Sequence, residues 1–502
     1  MRRRRLHGVA LRLALLVAVA FVALPRAQGN MEEQARRQLQ SGLDFYRAGK
    51  YSEALKDFQT VAEGYPNSAV ADDALLAIAT YQLEVQRDPI AARATADSLI
   101  KKYATSDGAP MGYVIMGRAT IEIDQTPAGL DSALASFDRV PRLFPSSDAV
   151  APALYYGAEV DRRAGRREQA LDRLRDVGLQ YPRSVWASRA ALLEARLLVA
   201  GGEPKEAMRA LQRVVGRFGN SAEVTTARAW NTALYRLYIR TPGGEPAYGW
   251  SGKSIGGPVQ GRFQQVASIA IAPDGRLGVA TRGGILVFDD KGVPNRQAAA
   301  MEPRQFNFDN TNRFIIAEKS ILLRETEKGM QRFALTAATM GGPKLLQDIS
   351  AGGLLSTGEY VIADRELRGA YRFSSAGQYL AAFATGRITR IAVSVSDQVA
   401  MLDSDTKSVI VSDRAGKMPS RIAQRGTGYE MNTPSDIGFD AFDNVYVLDR
   451  DRVLVFAPGG KLLTIFTPGT ESAIRNGQAL ALDAAARLYI YDEAQGRVAV
   501  YQ

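Results

Sequence analysis

The stretch Tyr65-Pro66-Asn67-Ser68 is the first of five copies of one short phrase: an aromatic residue, then Pro, Ala or Gly, then any residue, then Ser. Successive copies are 38, 41, 37 and 37 residues apart. The later four are Tyr103-Ala104-Thr105-Ser106, Phe144-Pro145-Ser146-Ser147, Tyr181-Pro182-Arg183-Ser184 and Phe218-Gly219-Asn220-Ser221. Self-similarity at this period predicts stacked two-helix units, none of which can bury its apolar face alone.

Each phrase also fixes a helix register. An alanine stands twelve residues before the second position of every copy, and apolar residues mostly follow it at i+4 and i+7, which is the spacing of one buried helix face. The five alanines are Ala54, Ala92, Ala133, Ala170 and Ala207. We expect the serine of each phrase to cap the first helix of the next unit.

These residues resemble the tetratricopeptide repeat. The first unit carries most of the pattern in Gly42, Phe45, Tyr46, Gly49, Tyr51, Ala54, Phe58 and Pro66. The variant resembles the envelope-type repeats of the outer-membrane β-barrel assembly lipoprotein and of periplasmic cell-division coordinators. The resemblance covers residues 31–240, about five helix pairs plus a terminal helix, and implies a superhelical α-solenoid whose groove receives an extended or helical peptide. On this register Leu43, Tyr46, Arg47, Glu159, Arg162 and Arg163 are predicted to face the groove.

Charge is distributed unevenly along the array. Residues 31–150 hold 12 basic and 17 acidic residues, whereas residues 151–240 hold 16 basic and 9 acidic residues. One corner between helices concentrates the basic residues Arg162, Arg163, Arg166 and Arg167. The favoured interpretation is a solvated helix face, and the alternative is a docking patch for an acidic partner or an anionic envelope polymer.

The amino terminus has the pattern of an export signal. Five arginines and no acid precede an uninterrupted run of twelve apolar residues, Leu13 to Leu24, and a small-x-small site follows at Ala27-Gln28-Gly29. Twelve residues are too few to span a bilayer, which takes about 20. We predict that residues 1–29 are a cleaved signal peptide and that the mature chain is periplasmic or secreted; the alternative is an uncleaved inner-membrane anchor.

Removing this segment changes what the composition implies. The net charge of +10 falls to +4, with 57 basic against 53 acidic residues, so nucleic acid is not an expected partner. The single histidine leaves with the signal and the chain has no cysteine, which excludes Cys or His zinc sites, Ser-His-Asp triads, disulfides and a lipoprotein anchor. We therefore expect a chain without catalysis or cofactor and without a transmembrane span after processing.

A different pattern begins after the array. Residues 241–262 contain seven glycines and three prolines and are predicted to be a flexible linker. Beyond it, six segments spaced 38 to 46 residues apart each carry short alternating runs. The clearest contains Asp443-Asn444-Val445-Tyr446-Val447-Leu448-Asp449 followed by Val453 to Phe456. Four strands per unit at this period predict the blade of a β-propeller.

This strand pattern resembles the NHL family of β-propellers and covers residues 260–502. We predict a six-bladed propeller over residues 263–502. Because the last blade ends at Gln502 directly after its third strand, we expect a strand from about residues 258–264 to close the ring and remove its exposed edges.

The second strand of each predicted blade ends at one equivalent position. These positions hold Thr281, Glu318, Asp364, Asp403, Asp449 and Asp492. The favoured interpretation is that each acid caps the turn after its own strand. The alternative is a calcium or substrate site built from convergent carboxylates, as in lactonase-type propellers.

Together these features predict an exported, non-catalytic scaffold or adaptor. It would bind protein or peptide partners of the cell envelope through the helical groove and a face of the propeller, and two modules on one chain can raise effective concentration or join two partners. The competing hypothesis is a propeller hydrolase or lyase that uses a carboxylate-bound metal and is recruited by the array.

Overall fold

The computed structural model of the chain describes residues 30–219, 221–241, 244–257, 261–326, 328–417, 419–470 and 473–502. It divides into two compact units, Met1–Ala190 and Ala191–Gln502. The predicted signal peptide lies outside the described residues. The division falls inside the helical region, so the last helices group with the propeller, whereas the sequence placed the boundary at residues 241–262.

Eleven α-helices occupy the first half of the described chain, as the repeats predict. Their bounds are α1 30–47, α2 Tyr51–Gly64, α3 Ala71–Glu84, α4 Pro89–Lys102, α5 Ala109–Ile123, α6 Pro127–Leu143, α7 Val150–Arg163, α8 Arg167–Gln180, α9 Val185–Ala200, α10 Pro204–Arg217 and α11 Ala222–Tyr235. A π-helical turn, Arg236–Arg240, extends α11.

Small residues allow the helices of a unit to approach each other closely. All five register alanines are completely buried. A Cβ atom added to Gly42 would lie 2.6 Å from the ring of Phe58, and one added to Gly117 would lie 2.6 Å from the ring of Phe137. The aromatic residue of the second helix therefore packs on a glycine of the first helix, and this contact holds the pair together.

Two of the phrase serines lie ahead of the cap position that the sequence predicts. The Oγ atoms of Ser68 and Ser147 accept hydrogen bonds from the amides of Val70 and Ala149, two residues further on. The helices α3 and α7 then begin only at Ala71 and Val150. At these two positions the serine closes the turn between units, whereas Ser184 directly precedes α9 and its Oγ accepts from the amide of Trp186, which is the predicted cap.

Six four-stranded antiparallel sheets form the second half. Blade 1 contains β2 Ser268–Ile271, β3 Leu277–Thr281, β4 Gly284–Phe288 and β5 Pro294–Ala298; blade 2 contains β6 Pro303–Phe308, β7 Phe314–Glu318, β8 Leu322–Thr326 and β9 Gly329–Phe333. Blade 3 contains β12 Ile349–Leu354, β13 Tyr360–Asp364, β14 Gly369–Phe373 and β15 Tyr379–Thr385; blade 4 contains β16 Ile388–Val393, β17 Val399–Asp403, β18 Ser408–Ser412 and β19 Ser420–Ile422. Blade 5 contains β22 Pro434–Phe439, β23 Val445–Asp449, β24 Arg452–Phe456 and β25 Leu462–Phe466. Blade 6 contains β26 Gly477–Leu482, β27 Leu488–Asp492, β28 Arg497–Tyr501 and β1 Trp250–Gly256.

The first strands of the blades line the axis of the propeller. Each contacts the first strands of both neighbouring blades, in the closed order β2, β6, β12, β16, β22, β26 and back to β2. Two small hairpins, β10 Thr336–Thr339 with β11 Gly342–Leu345 and β20 Arg425–Gly426 with β21 Tyr429–Glu430, lie in the connections between blades. The six-bladed propeller is therefore confirmed.

The ring is closed by a strand upstream of the predicted one. Trp250–Gly256 pairs with the last strand through Trp250 opposite Tyr501 and Ile255 opposite Val498. Gly249 and Gln502 exchange two backbone hydrogen bonds of 2.8 and 2.9 Å. The predicted linker therefore carries the closing strand, and β1 protects the edge of blade 6.

We call the end of the propeller where the second strands finish the acid-capped end, and the opposite end the docked end. At the docked end, α11 lies against the turns of blades 5 and 6. The indole Nε1 of Trp230 donates to the carbonyl of Ala484 at 3.0 Å, and its ring meets Phe442 with 5.1 Å between centroids. Arg196 of α9 also bonds Ser396 in a turn of blade 4.

A buried chain of polar groups fixes this contact. The Tyr238 hydroxyl donates to Asn444 Oδ1 at 2.8 Å, and Asn444 Nδ2 donates to Asp440 at 2.7 Å. Tyr446 donates to the same carboxylate at 3.3 Å and also shares a 2.7 Å hydrogen bond with the hydroxyl of Tyr248. Tyr248 is only 2% exposed although it lies within the predicted linker. Residues 244–257 are therefore packed on the propeller, contrary to the prediction of a flexible connection.

Candidate functional site

The aligned acids lie at the ends of their second strands, and each is buried. Asp364 accepts hydrogen bonds from the amides of Gln347 and Asp348 at 3.0 and 2.9 Å, just before β12 of the same blade begins. Asp449 accepts from the amides of Asn432 and Thr433 in the same way, at 3.0 and 2.6 Å. The carboxylate therefore ties the start of the first strand to the end of the second.

The same arrangement recurs with small variations. Asp492 accepts from the amides of Arg475 and Asn476, and Glu318 accepts from the amide of Met301. Asp403 instead accepts from the amide of Asp405 and the hydroxyl of Thr406, within its own following turn. In each of these five blades the pairing between the first and second strands shifts in register beside the acid. Blade 1, which has Thr281 at this position, pairs these two strands without a register shift.

Metal coordination would require several of these groups to converge. Over the described residues, no group of three or more His, Cys, Asp or Glu is placed to hold a metal ion. The oxygen atoms of Glu318, Asp364, Asp403, Asp449 and Asp492 accept hydrogen bonds from backbone amides or hydroxyls instead, and Asp449 also pairs with Arg452 at 2.9 Å. This geometry is that of turn caps, which exposed backbone donors require.

The basic corner of the array is a network of ion pairs. Arg162 lies 2.9 Å from Glu159, and Arg167 lies 2.5 Å from Glu168. Arg166 contacts the buried Asp161 at 2.7 Å and Asp131 at 3.1 Å. Arg163 is exposed on the last turn of α7. Pairing with carboxylates reduces the positive charge that this corner offers to an anionic partner.

The residues of the first unit that are predicted to face the groove lie beside a row of aromatic rings. Tyr46 is half-buried, and its ring meets that of Tyr51 with 5.3 Å between centroids. Tyr51 in turn meets Tyr81 of α3 at 6.1 Å. Burial raises the pKa of the Tyr46 hydroxyl, with a further contribution from the Glu84 carboxylate. Leu43 is half-buried on the same helix as Tyr46.

This row continues across the following first helices. Glu84 of α3 pairs with Arg118 of α5 at 2.9 Å. The Arg118 guanidinium lies over the ring of Tyr156 in α7, 4.9 Å from its centroid, and Tyr156 meets Trp186 of α9 at 5.3 Å. Direct contacts of α3 with α5, and of α5 with α7, bring these side chains together. We call this surface the aromatic stripe and define it by Tyr46, Tyr51, Tyr81, Glu84, Arg118, Tyr156 and Trp186.

Of the residues in the aromatic stripe, the sequence predicts only Tyr46 to face the groove. Leu43 and Glu159, which the tetratricopeptide register predicts to face the groove, each stand eleven residues before a register alanine. The same rule applied to Ala92 gives Tyr81, so the signal was present in the second unit. Arg118 escapes that rule because the third unit is longer than its neighbours. The other groove candidate, Arg47, is exposed and pairs with Asp44 at 2.8 Å.

Comparison with known proteins identifies the helical region. The tetratricopeptide repeat family matches residues 38–68, 152–184 and 189–221. No curated protein matches the chain. A gluconolactonase from Xanthomonas campestris is 16% identical over 48% of this chain and 86% of its own, with a TM-score of 0.40. Virginiamycin B lyase from Staphylococcus aureus is 10% identical over 48% of this chain and 81% of its own, with a TM-score of 0.36. The chain therefore contains tetratricopeptide repeats, as predicted.

The helices were also compared with the requirements of a bilayer. Within the part of the chain that the structure describes, every helix falls short of the length and apolar character needed to cross a membrane.

Proposed function

We propose that this chain is an exported scaffold that binds a peptide segment of an envelope protein along the aromatic stripe. The observation that carries the proposal is the continuity of half-exposed rings and charges over the first helices of successive tetratricopeptide repeats. Tyrosine and tryptophan supply a large contact area at low entropic cost, and arginine is enriched with them at binding hot spots.

The composition of the stripe defines the partner's chemistry. Three tyrosine rings lie near its amino-terminal end, while the Arg118 and Glu84 pair lies at its centre. A complementary segment would carry apolar or aromatic side chains at one end and a carboxylate that competes with Glu84 for Arg118. Replacing one carboxylate by another keeps the guanidinium paired, so its desolvation cost is offset.

Export is part of the same proposal. The basic, apolar and small-residue sequence of residues 1–29 supports cleavage near Gly29. The amino terminus of protein isolated from cells, read by mass spectrometry, is expected to lie close to Asn30. A chain that retains Met1 to Arg26 in the cell would contradict cleavage and favour the anchored alternative.

Site-directed photocrosslinking tests the binding surface. A photoreactive phenylalanine analogue replaces Tyr81 in the full chain, and the control carries it at Leu179, which is 75% exposed on α8. We expect a discrete envelope adduct from position 81 only. Arg118→Ala should reduce that adduct at least about fivefold, because a hot-spot arginine contributes over about 1 kcal/mol.

A second arginine provides the matched control. Arg93 is exposed on α4, so Arg93→Ala should leave the adduct unchanged. The proposal is wrong if positions 81 and 179 give the same adducts, or if Arg93→Ala and Arg118→Ala reduce them equally.

A further inference from the structure

Four arginines from three consecutive blades lie at the acid-capped end of the propeller axis. Arg304 is the second residue of β6, and Arg365 follows the last residue of β13 directly. Arg387 precedes β16, and Arg390 is its third residue. We call this group the arginine mouth. None of the four belongs to the five-fold pattern of acids described above.

Backbone hydrogen bonds fix the positions of the main-chain atoms from which these side chains extend. The Arg365 amide donates to the carbonyl of Asp348 at 2.9 Å, and the amide of Ser404 donates to the carbonyl of Arg387 at 3.0 Å. Arg390 reaches across the axis, because its Nη2 donates to the carbonyl of Ala267 in front of blade 1 at 3.2 Å. The guanidinium of Arg390 therefore forms a floor at this end of the axis.

Below this floor the axis is occupied by amide side chains. Gln305 of blade 2 exchanges hydrogen bonds of 2.5 and 3.3 Å with the backbone of Ile391 in blade 4. Asn307 donates to the carbonyl of Gly352 at 2.8 Å. A ligand of the arginine mouth would consequently stay at the end of the axis and not enter it.

The arginine mouth has fewer carboxylates than guanidinium groups close by. Asp348 lies 3.9 Å from Arg304, and the buried Asp436 lies 3.5 Å from Arg390. Asp436 is already bonded to two backbone amides, those of Ile437 and Leu480. The remaining carboxylate, Glu302, is 3.9 Å from Arg304 with a side chain 57% exposed. Over the described residues, Arg365 and Arg387 form no ion pair within 4.0 Å.

Two donors of the group are also unused. The Nε atoms of Arg304 and Arg390 are buried and donate to no acceptor among the described residues. A buried donor without a partner costs about 1–3 kcal/mol. Burial lowers the pKa of the Arg365 guanidinium, and repulsion from Arg304, Arg390 and Arg387 adds to the effect, against the opposing influence of Asp348. The positive charge of the arginine mouth is thus only partly compensated by the neighbouring carboxylates.

We propose that the arginine mouth binds a phosphate-class oxyanion carrying at least two negative charges. The planar guanidinium presents paired N–H donors that match the oxygens of such a group, and several arginines can share one tetrahedral anion. The anion would pair Arg365 and Arg387 and add charge where the present carboxylates are few. This site is distinct from the aromatic stripe and does not rest on the proposed function.

The same chemistry is available from two sources, a small phosphorylated molecule or the phosphate of an envelope lipid or polymer. Pyrophosphate is the probe for the first source, used in isothermal titration of the full mature chain at low ionic strength. Cosedimentation with phosphatidylglycerol vesicles, compared with phosphatidylcholine vesicles, probes the second. Saturable single-site binding to pyrophosphate supports the first source, and binding only to the anionic vesicles supports the second.

Variants decide whether the arginine mouth is responsible. Arg365→Gln and Arg387→Gln should each weaken binding about tenfold or more, since a charge-assisted hydrogen bond contributes about 1.5–3 kcal/mol. Arg368→Gln is the matched control, because Arg368 lies on the same end of blade 3 with a side chain 62% exposed and pairs with Asp405. Its affinity should stay within about twofold of wild type, as expected of a surface ion pair. Absence of saturable binding to both probes, or equal losses in all three variants, would overturn the proposal.

Discussion

Replacing Tyr238 by phenylalanine tests whether the last helices are held on the propeller by the buried polar chain. The change removes one hydroxyl and leaves the ring, so packing is nearly unaltered. The lost hydrogen bond to Asn444 is a neutral one, with a net contribution of about 0.5–1.5 kcal/mol. Asn444 is completely buried, and among the described residues Tyr238 is the one side chain that donates to its Oδ1. An unsatisfied buried acceptor costs about 1–3 kcal/mol, and we expect a total destabilisation in that range.

The matched control is three residues away. Tyr235 is 48% exposed, and Tyr235→Phe should change the free energy of unfolding by less than about 0.5 kcal/mol, as surface substitutions usually do. Both variants are compared by urea unfolding of the full chain. Hydrogen exchange of residues 236–241 then reports locally, because the Thr241 amide bonds the carbonyl of Arg236 within this turn.

The expected result is earlier unfolding and faster exchange in residues 236–241 for Tyr238→Phe only. Equal behaviour of the two variants would refute the argument that this hydrogen bond holds the helices in place. Faster exchange throughout α1 to α8 would also refute it, because the network lies entirely within residues 191–502.

Three further predictions test packing, charge and capping. Gly117→Ala should destabilise the array by about 1–3 kcal/mol through overpacking against Phe137, whereas Gly178→Ala, which meets open space in α8, should stabilise it by about 0.5–1 kcal/mol; thermal unfolding of both variants checks this. Burial raises the pKa of Asp440 from 3.8 to about 6, so the folded state holds the extra proton between these values and stability is lost as pH rises through them. The difference in unfolding free energy between wild type and Asp440→Asn should accordingly shift by about 2.4 kcal/mol between pH 4 and pH 7, and a flat difference would contradict the burial argument. Asp449→Ala should cost about 2–4 kcal/mol by leaving two amides unpaired and removing the ion pair with Arg452, while calcium or a chelator should leave the melting temperature of wild type unchanged.

The sequence predicted features that repeat. Six blades follow from a period that recurs along residues 263–502, and the register alanines follow from the phrase that ends each helical unit. The same periodicity located the acids, and the hydrogen bonds of Asp364 and Asp449 explain why the position repeats. Four of the six blades use the acid to tie the start of the first strand to the end of the second, so one local requirement recurs along the sequence.

Features that occur once left no such signal. The strand Trp250–Gly256 contains two glycines and lacks alternation, so it does not read as a strand. It is extended because the edge of β28 supplies its hydrogen bonds, a long-range contact that its own residues do not encode. The glycines and prolines around Tyr248 correctly marked the end of the helices. They could not show that this tyrosine would be buried against Tyr446.

The sequence does not indicate the arginine mouth, for a related reason. Its members occupy different positions within their blades: inside a first strand, after a second strand, and before a first strand. Only the radial closure of the ring brings them to one place. The aromatic stripe is intermediate, because the repeat register locates Tyr81 but not Arg118, which belongs to the unit of irregular length.

The two ends of the propeller differ in what they leave available for a ligand. At the docked end, Arg196, Trp230 and Tyr238 already bond to turns of blades 4, 5 and 6, so part of that surface is covered by the chain itself. At the acid-capped end, the carboxylates are used by backbone amides, and the basic groups on the axis are the ones with unused donors. The carboxylates that could bind a cation are therefore already bonded within the fold, whereas guanidinium groups that could bind an anion still have unused donors. A propeller cut at residue 263 would lose its closing strand and the helices on its docked end, so experiments on this site use the full mature chain.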